Sequence, residues 1–449
     1  MSLLKILKST SNLNTNDINY YYSSEKFGVF YLPFTSKRRK GVLLRIVIFL
    51  YLFLKSLFDR LRNIENPNCP MPGSQLFFCW TKNQKDSLYD ICDGLKNSYL
   101  VDQSYEKLSI FPLYKAYLWS FPFLPFVLFN YINSSGYQKL SYKYAFDKYW
   151  LSYGYYLVAV RWLKKIEPSV VVVSNDHNMV CRAIIEAAKY LGVPTVYIQH
   201  ASVTEKFPSL RVDYALLEGV DAVEKYEKIG NSEAKIYLIG TPKLDKYMRT
   251  LNTSKSVDTL GICVNKLDSI DDVRKLVDGI TVNISEISIL FRPHPSDVDR
   301  FNLWKRLAEE YKLQYSDPTI EDSYSFLSKT DSIVAGDSNI LLEAALFNVY
   351  PLYFSFSDCC RDHYGFVQHG LVEYFSDENE IIDKLAELKK EKPSVRSKTK
   401  RYCHVIETKY DGNSSGLARN LIESISSKSN SDSRWRLVEA YHIPTYELL

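Results

Sequence analysis

SVVVVSNDHNMVCRAIIEAAKYLGVPTVYIQH, residues 169–200, is the stretch of this sequence that decides the fold. The apolar run Ser169–Val173 predicts a buried strand, apolar residues at helical spacing predict a helix over Met179–Leu191, and Thr195–Gln199 predicts a second strand. A glycine directly after the helical segment and a proline two residues later are helix-stop signals. Strand–helix–strand units of this length form parallel sheets with right-handed crossovers, so the stretch predicts an α/β fold.

The same alternation precedes and follows this stretch. Gln75–Trp80 predicts a strand and Lys85–Leu95 a helix, and the alternation restarts after the polar residues 252–256. The predicted strands of this second half are Thr259–Val264, Ile287–Arg292, Ser332–Gly336 and Tyr350–Phe354, and its predicted helices are one that begins over Ser269–Leu276 and one over Ile340–Phe347. A chain of 449 residues also exceeds one hydrophobic core, since cores stop growing near about 250–300 residues.

We therefore expect four segments. They are a basic N-terminal segment over residues 1–74, a Rossmann-like domain over 75–250, a second Rossmann-like domain over 257–395, and a helical tail over 396–449. The two parallel sheets are expected to face a cleft. Ligands of open α/β sheets bind outside the carboxyl ends of the strands, so the turns that follow the strands are where the chemistry is expected.

The N-terminal segment carries the positive charge of the chain. Residues 1–66 hold eleven Lys or Arg against four Asp or Glu, a surplus of +7, whereas the whole chain has a net charge of +4. In a helical projection from Val42 onward, the charged side chains, Arg45 and Lys55 among them, lie on one arc opposite Leu43, Ile46, Val47, Leu50, Leu54, Leu57 and Leu61. The uninterrupted run of apolar residues in this helix is too short to span a membrane.

Two interpretations of this helix remain open. Lys37–Lys40 precede it, and cations beside an amphipathic helix favour contact with acidic lipid headgroups. Alternatively, it is a core helix whose cations reach the surface. The residues Ile110–Ile132, which contain three prolines, are expected to form buried packing or a groove for an acceptor or lipid.

Other classes are disfavoured. The remainder of the chain is slightly acidic and lacks a nucleic-acid motif, so no nucleic-acid partner is expected. The eight cysteines have no metal-ligand spacing, and Asp297–Asp299 is expected to open a helix rather than to bind a metal. Neither a secretory signal nor a cleavage site is evident, which favours the cytoplasm, with the inner face of the plasma membrane as the place of any lipid contact.

The second half offers candidates for phosphate binding. His294 lies between two prolines in Arg292–Pro295, which restricts its backbone, and Arg292 is a residue type suited to phosphate. The turn Gly336–Asn339 enters a predicted helix, where backbone N–H groups and Ser338 favour an anion. Glu343, five residues after Ser338, is placed to accept hydrogen bonds from a ribose. Solvent-exposed turn and cap residues are the alternative.

The first half offers candidates for a general base. Asp176, His177 and His200 follow the two strands of the opening stretch, and His or Asp is the usual group that accepts a proton from a hydroxyl. His200 is the preferred base because its ordinary pKa lies near neutrality, with Asp176 as its partner or the second choice and His177 as the third. A capping aspartate or a core histidine is the alternative.

Taken in order, these motifs resemble the GT-B glycosyltransferase superfamily. They are Asn175–His177, Leu191–His200, Tyr237–Pro242, Arg292–Pro295 and Asp337–Glu343. They look most like those of bacterial capsule and lipopolysaccharide transferases, including polysialyl-, Kdo- and glycerophosphotransferases, and more distantly like those of UDP-N-acetylglucosamine 2-epimerases. The resemblance covers residues 165–360 well and 75–100 loosely.

The resemblance implies roles for individual residues. His294 and Ser338 are implied to bind the donor phosphates and Glu343 the ribose, while Asp176 matches a catalytic aspartate of the epimerases. Asn339 of the same turn as Ser338 is also predicted to bind the donor. At the position of an epimerase glutamate this chain has His200, as in the glycerophosphotransferases, and this departure favours transfer over epimerisation. An epimerase and a non-catalytic scaffold of capsule assembly remain alternatives.

The resemblance also implies the partners of the enzyme. It implies a metal-independent glycosyltransferase without a cofactor, which takes a sugar from a CMP-, CDP- or UDP-linked donor to a hydroxyl of a glycan or glycolipid acceptor. The acceptor is implied to be a growing surface polysaccharide or lipopolysaccharide.

Overall fold

The computed structural model of the chain describes residues 3–28, 41–62, 70–102, 113–284, 286–356, 362–429 and 434–449. Contacts within the chain divide it into two compact units. The first unit comprises residues 1–200, 205–243 and 413–449, and the second comprises residues 201–204 and 244–412. Each unit contains one β-sheet.

The strands are numbered in chain order. They are β1 (Gln75–Cys79), β2 (Ser98–Asp102), β3 (Val170–Val173), β4 (Thr195–Ile198), β5 (Tyr214–Leu217), β6 (Lys235–Leu238), β7 (Thr259–Val264), β8 (Ser288–Pro293), β9 (Gln314–Tyr315), β10 (Ser332–Ala335), β11 (Tyr350–Phe354), β12 (Glu373–Phe375), β13 (Trp435–Val438) and β14 (Thr445–Leu448).

The helices are numbered in the same way. They are α1 (Leu3–Ser11), α2 (Thr15–Ile18), α3 (Tyr20–Ser23), α4 (Val42–Arg62), α5 (Lys82–Asp93), α6 (Leu113–Ser120), α7 (Leu124–Asn133), α8 (Gly136–Ile166), α9 (Met179–Leu191), α10 (Val220–Ile229), α11 (Ile270–Asn283), α12 (Phe301–Glu310), α13 (Ser323–Leu327), α14 (Ile340–Leu346), α15 (Glu378–Lys390) and α16 (Ser414–Ser427). Short 3₁₀ helices cover Phe121–Phe123, Pro242–Thr250, Val298–Arg300 and Arg396–Arg401.

Both sheets are parallel over most of their width. The sheet of the first unit has the strand order β13-β14-β6-β5-β4-β3-β1-β2, and that of the second unit has the order β12-β11-β10-β7-β8-β9. Among the described strands only β13 pairs antiparallel, with β14. The predicted α/β fold with two Rossmann-like parallel sheets is therefore confirmed.

The local signals of residues 169–200 act as predicted. Asn178 caps α9 by accepting a hydrogen bond from the backbone N–H of Cys181, and Gly192 ends the helix in the left-handed conformation with φ of 70°. A residue with a Cβ is strained in that conformation, which explains why a glycine ends the helix. The bounds of α9, β7 and β11 match the sequence prediction residue for residue.

The prediction of a purely helical tail over residues 396–449 is wrong. This part of the chain contains α16, but it also contains β13 and β14, and β14 pairs with β6 at the edge of the first sheet. Tyr446 stacks on Tyr237 of β6, with ring centroids 4.8 Å apart. The two strands have four residues each, too few for an alternating pattern to be distinguished in the sequence.

Both interpretations of helix α4 from the sequence place its cations at the surface, and for Arg45 this is wrong. Its side chain points into the first unit, where Nε lies 2.8 Å from the carboxylate of Asp147, and both side chains are buried. Phe49, one turn later on the same face, stacks on Trp150 with a centroid distance of 3.8 Å. A buried charge needs a partner, and Asp147 supplies one that the sequence pattern could not reveal.

The opposite face of α4 is apolar and exposed. The exposed fraction is 81% for Leu43, 60% for Val47, 50% for Leu54 and 61% for Phe58. No helix in the described part of the chain is both long enough and apolar enough to cross a bilayer. The predicted basic run Lys37–Lys40 lies outside the described residues.

Candidate functional site

The carboxylate of Asp176 is buried where β3 ends in the first unit. Tyr226 donates to its Oδ2 at 2.7 Å, and the Nδ1 atom of His177 lies 3.0 Å from its Oδ1. Burial by itself favours the neutral acid, but hydrogen bonds from His177 and Tyr226, with the charge of Arg182, hold the pKa of Asp176 below its ordinary value. Asp176 is therefore an anion with both oxygens already hydrogen-bonded.

Both ring nitrogens of His177 are engaged. The Oδ1 atom of Asn175 accepts from the backbone N–H groups of His177 and Asn178, so its Nδ2 faces the Nε2 atom of His177 at 3.2 Å. That arrangement makes Nε2 an acceptor and places the ring proton on Nδ1, from which it is donated to Asp176. The ring centroid of Phe207 lies 4.6 Å away. These contacts suit His177 to holding the turn.

His200 follows β4 and differs from the other two candidates. Its Nδ1 atom is buried and has no hydrogen-bond partner. Burial, together with the positive charge of Lys243, lowers the pKa of His200 to about 3, whereas Asp176 acts in the opposite direction. Burial and the nearby cation thus move the pKa of His200 away from its ordinary value, and no local sequence pattern indicated either of them.

Lys243 was not among the residues predicted from the sequence. It follows β6, and its Nζ atom donates to the backbone carbonyl of His200 at 2.8 Å and to Oδ1 of Asn83 at 2.5 Å. One ammonium group thus connects the start of α5, the residue after β4 and the segment after β6 in the first unit. Its position just after a strand was the signal that could have identified it.

His294 presents a fixed hydrogen-bond donor in the second unit. Its Nδ1 atom accepts from the backbone N–H of Ser296 at 3.1 Å and lies 2.8 Å from the Ser296 hydroxyl. The neutral ring therefore carries its proton on Nε2. Burial lowers the pKa of His294, and the positive charges of Lys266 and Arg292 act in the same direction, against Asp297. Lys266, which follows β7, is a second residue that the sequence patterns did not single out.

Arg292 is placed differently from the expectation. Its side chain is buried, Nη1 donates to the hydroxyl of Ser316 at 2.7 Å, and Nη2 donates to the backbone carbonyl of Glu321 at 2.9 Å. Its guanidinium lies 5.3 Å from the ring centroid of Phe326. In the structure Arg292 connects β8 to the segment after β9, and its predicted contact with phosphate stays a prediction.

The turn after β10 brings Ser338, Asn339 and Glu343 together. The amide Nδ2 of Asn339 donates to Glu343 at 3.3 Å, and its Oδ1 accepts from the hydroxyl of Ser202, a residue of the same unit. Asn339, not Ser338, is the N-cap residue of α14, and it makes no side-chain capping bond. The Ser338 hydroxyl accepts only a long 3.5 Å contact from the N–H of Ile340.

A buried acid, Asp268, lies against this turn. A Cβ atom on Gly336 would come within 2.7 Å of its Oδ1, so a larger residue at the end of β10 would force this carboxylate to move. Burial raises the pKa of Asp268 to about 7, a backbone hydrogen bond and Arg300 oppose this rise, and Asp297 and Asp337 add to it. No strand-end pattern in the sequence distinguished Asp268 from an exposed acid.

The Asp297–Asp299 spacing has another use in the structure. Oδ2 of Asp297 accepts from Nη2 of Arg300 at 2.8 Å and from the indole N–H of Trp304 at 2.8 Å. No group of three or more His, Cys, Asp or Glu side chains within the described ranges is arranged to hold a metal ion.

No protein-family model and no curated protein matches the chain. A solved structure named as a UDP-N-acetylglucosamine 2-epimerase from Listeria monocytogenes is similar, with a TM-score of 0.53 and 12% identity, over 80% of this chain and 98% of that chain. For the wall teichoic acid polymerase TagF the TM-score is 0.48 at 12% identity, over 86% and 98% of the two chains. For MurG from Acinetobacter baumannii it is 0.44 at 12% identity, over 78% and 99%. The chain has the GT-B fold, as its sequence resemblance implied.

Asp268 makes the stability of the chain depend on pH. Between the ordinary carboxyl pKa and about 7, the folded chain holds a proton that the unfolded chain has lost, so the free energy of unfolding falls as pH rises through this window. Asp268→Asn should remove that dependence. Between pH 5 and pH 8 the free energy of unfolding of this variant should rise by about 2–3 kcal/mol relative to that of the wild type.

Denaturant unfolding at pH 5 and pH 8 measures this gain, with the exposed Asp299→Asn as the matched control. Equal pH dependence in Asp268→Asn and the wild type would contradict the assignment.

Proposed function

We propose that the chain is a metal-independent GT-B glycosyltransferase that moves a sugar from a nucleotide-linked donor to a hydroxyl of a growing surface polysaccharide or lipopolysaccharide. The observation that carries the proposal is the unpartnered Nδ1 atom of His200 at the end of β4, at the edge of the first sheet where ligands of α/β sheets bind. A group that accepts a proton at this edge suits transfer to a hydroxyl.

The second unit is proposed to bind the donor. Nε2 of His294 carries a proton and part of the residue is exposed, so it can donate to a phosphate oxygen, and Lys266 adds positive charge beside it. Ser338 has a hydroxyl held only by a long contact, and Glu343 is proposed to bind the ribose. A solved structure with the same fold is named for a sugar-nucleotide substrate, UDP-N-acetylglucosamine, and we carry over that substrate class. CMP-, CDP- and UDP-linked sugars are the candidate donors.

The first unit is proposed to activate the acceptor hydroxyl. Of the three candidates, Asp176 has both oxygens paired and His177 has both ring nitrogens engaged, which leaves His200 as the base. A pKa of about 3 keeps its imidazole neutral, and so able to accept a proton, at every physiological pH. A base of this pKa is also weak, so we expect its contribution to be at the lower end of the usual range of about 10²–10⁴-fold.

Epimerisation of a sugar nucleotide is the second candidate, because the solved structure that shares the fold is named as an epimerase. Incubation with CMP-, CDP-, UDP- and GDP-sugars, with and without glycan or glycolipid acceptors, separates the two. A transferase releases nucleotide and consumes donor only when an acceptor is present. Conversion of UDP-N-acetylglucosamine without an acceptor would replace the proposal with epimerisation, and absence of nucleotide binding would favour a scaffold.

The two histidines should affect different steps. His294→Ala should weaken donor binding by roughly 10-fold, the worth of one lost hydrogen bond to a charged group, with little effect on the fold. His200→Ala should lower turnover by about 10²-fold and leave donor binding unchanged. Titration calorimetry with the donor nucleotide and initial-rate kinetics measure these effects, and the exposed His442→Ala is the control. The same effect of both variants on donor affinity would remove this division of roles.

Contact with acidic membrane lipid is proposed for α4. Arg45 and Phe49 fix one face of the helix in the first unit, so its opposite face, with Leu43, Val47 and Leu54, is presented outward. Apolar side chains exposed at helical spacing, within a segment that has a charge surplus of +7, suit a helix lying in the membrane interface. Phe129 and Ile132 of α7 expose 67% each and add to the apolar surface of the same unit. The inner face of the plasma membrane is the proposed location of the enzyme.

Membrane contact through α4 predicts a selective loss of lipid binding. The double variant Val47→Glu/Leu54→Glu should no longer float with vesicles of phosphatidylglycerol and phosphatidylcholine, whereas Val47→Ala/Leu54→Ala should retain part of the binding. Both positions are exposed, so neither variant should unfold. High salt should weaken the binding of the wild type. Equal flotation of the wild type and the Glu variant would contradict the proposed lipid contact of α4.

A further inference from the structure

Residues 15–28 of the N-terminal region, which we name the docking segment, are fixed to the first unit by Arg182 of α9. Nη2 of Arg182 donates to the carboxylate of Asp17 at 2.6 Å, and Nε donates to the backbone carbonyl of the same residue at 2.7 Å. Arg182 is 2% exposed. Arg211 lies 3.4 Å from the same carboxylate and is the second cation that faces it.

The same guanidinium reaches the turn that follows β3. Its remaining terminal nitrogen, Nη1, donates to the backbone carbonyl of Asp176 at 2.6 Å. Three donors of one planar group therefore connect the docking segment to the backbone of Asp176. The fork geometry of arginine allows this, and the single ammonium of a lysine does not reproduce it.

The docking segment also contacts the loop that follows His200. The hydroxyl of Tyr20 donates to the backbone carbonyl of Lys206 at 2.9 Å and lies 3.2 Å from that of Phe207. Between the two loops, His177 stacks on Tyr21 with a centroid distance of 5.9 Å and contacts Phe27 at 5.7 Å. One segment thus touches the turn that carries Asp176 and His177 and the loop that follows His200.

We propose that the docking segment is a positioning element of the catalytic site, and that Asp17 and Arg182 are the positioning pair that holds the turns of Asp176 and His200 in register. This inference rests on the proposed transfer reaction for its effect on rate, but its structural part does not. The physical reason is that a turn is held only by its own few hydrogen bonds, and displacement of a catalytic group by about 1 Å costs up to about 10²-fold in rate.

The first test replaces the carboxylate of Asp17. Asp17→Ala should speed amide hydrogen exchange of residues 174–178 by at least about 10-fold, because Arg182 loses the carboxylate that holds its guanidinium against the backbone of Asp176. Exchange in β7 and β8 of the second unit should not change. Glu25→Ala, an exposed acid of the same segment, is the matched control and should leave both regions unaltered.

The second test uses rates. The assay uses the donor and acceptor pair that the incubation with nucleotide sugars and acceptors identifies. Asp17→Ala should lower kcat by about 10-fold. The KM for the donor should stay within about two-fold, since the proposed donor ligands lie in the second unit. A variant that merely loses stability would instead lose active enzyme in proportion, with both constants unchanged per folded molecule.

Two milder variants keep the proposal testable if Asp17→Ala fails to fold. Arg182→Lys retains the charge but not the fork. Where Asp17→Ala does fold, the double variant Asp17→Ala/Arg182→Lys should be no slower than the worse single variant, because both act on one contact. Tyr20→Phe removes only a hydroxyl and should raise exchange over residues 205–208 with a fall in kcat of about 3-fold, the worth of a weak hydrogen bond.

The outcomes separate the two proposals. Absence of turnover by the wild type on every substrate pair defeats the transfer reaction and leaves the exchange test standing. Unchanged exchange in Asp17→Ala and in Tyr20→Phe overturns the docking segment as a positioning element, and so does faster exchange without any fall in kcat.

Discussion

The proposed catalytic site of the first unit depends on the hydrogen bonds that stabilise the ionised carboxylate of Asp176. A buried anion is stable only when its lone pairs are satisfied, and Tyr226 and His177 each satisfy one oxygen of this carboxylate. His177 can donate only because Asn175 fixes its tautomer. The result is a turn whose geometry follows from charge compensation, and which in turn anchors the docking segment.

In the second unit, hydrogen bonding and burial likewise fix the protonation of the candidate site, but at different residues. Hydrogen bonding at one nitrogen of His294 determines which nitrogen carries the proton, so the donor direction is set before any ligand arrives. Gly336 lets Asp268 approach the end of β10, and burial then keeps that acid from ionising fully near neutral pH. Charges in the two units are thus tuned in opposite directions, Asp176 toward the anion and Asp268 toward the neutral acid.

Helix α4 shows what an amphipathic sequence pattern can predict and what it cannot. The helical projection correctly separated an apolar face with Leu43, Val47 and Leu54 from an arc that contains Arg45. It could not say which face meets the protein, because that depends on a partner about a hundred residues away, Asp147, and on the ring stack of Phe49 with Trp150. The outward face is the apolar one, against the usual expectation for a helix on a folded unit.

Sequence periodicity and helix-stop signals determined the two parallel sheets and the turns that hold Asp176, His200, His294 and Ser338, because these depend on neighbours within a few residues. The tertiary structure alone decided the state of each group in those turns. The burial of His200, the ion pair of Asp17 with Arg182 and the addition of β14 to the sheet join residues far apart in sequence. Desolvation and long-range hydrogen bonds act through space, and a linear pattern does not carry that information.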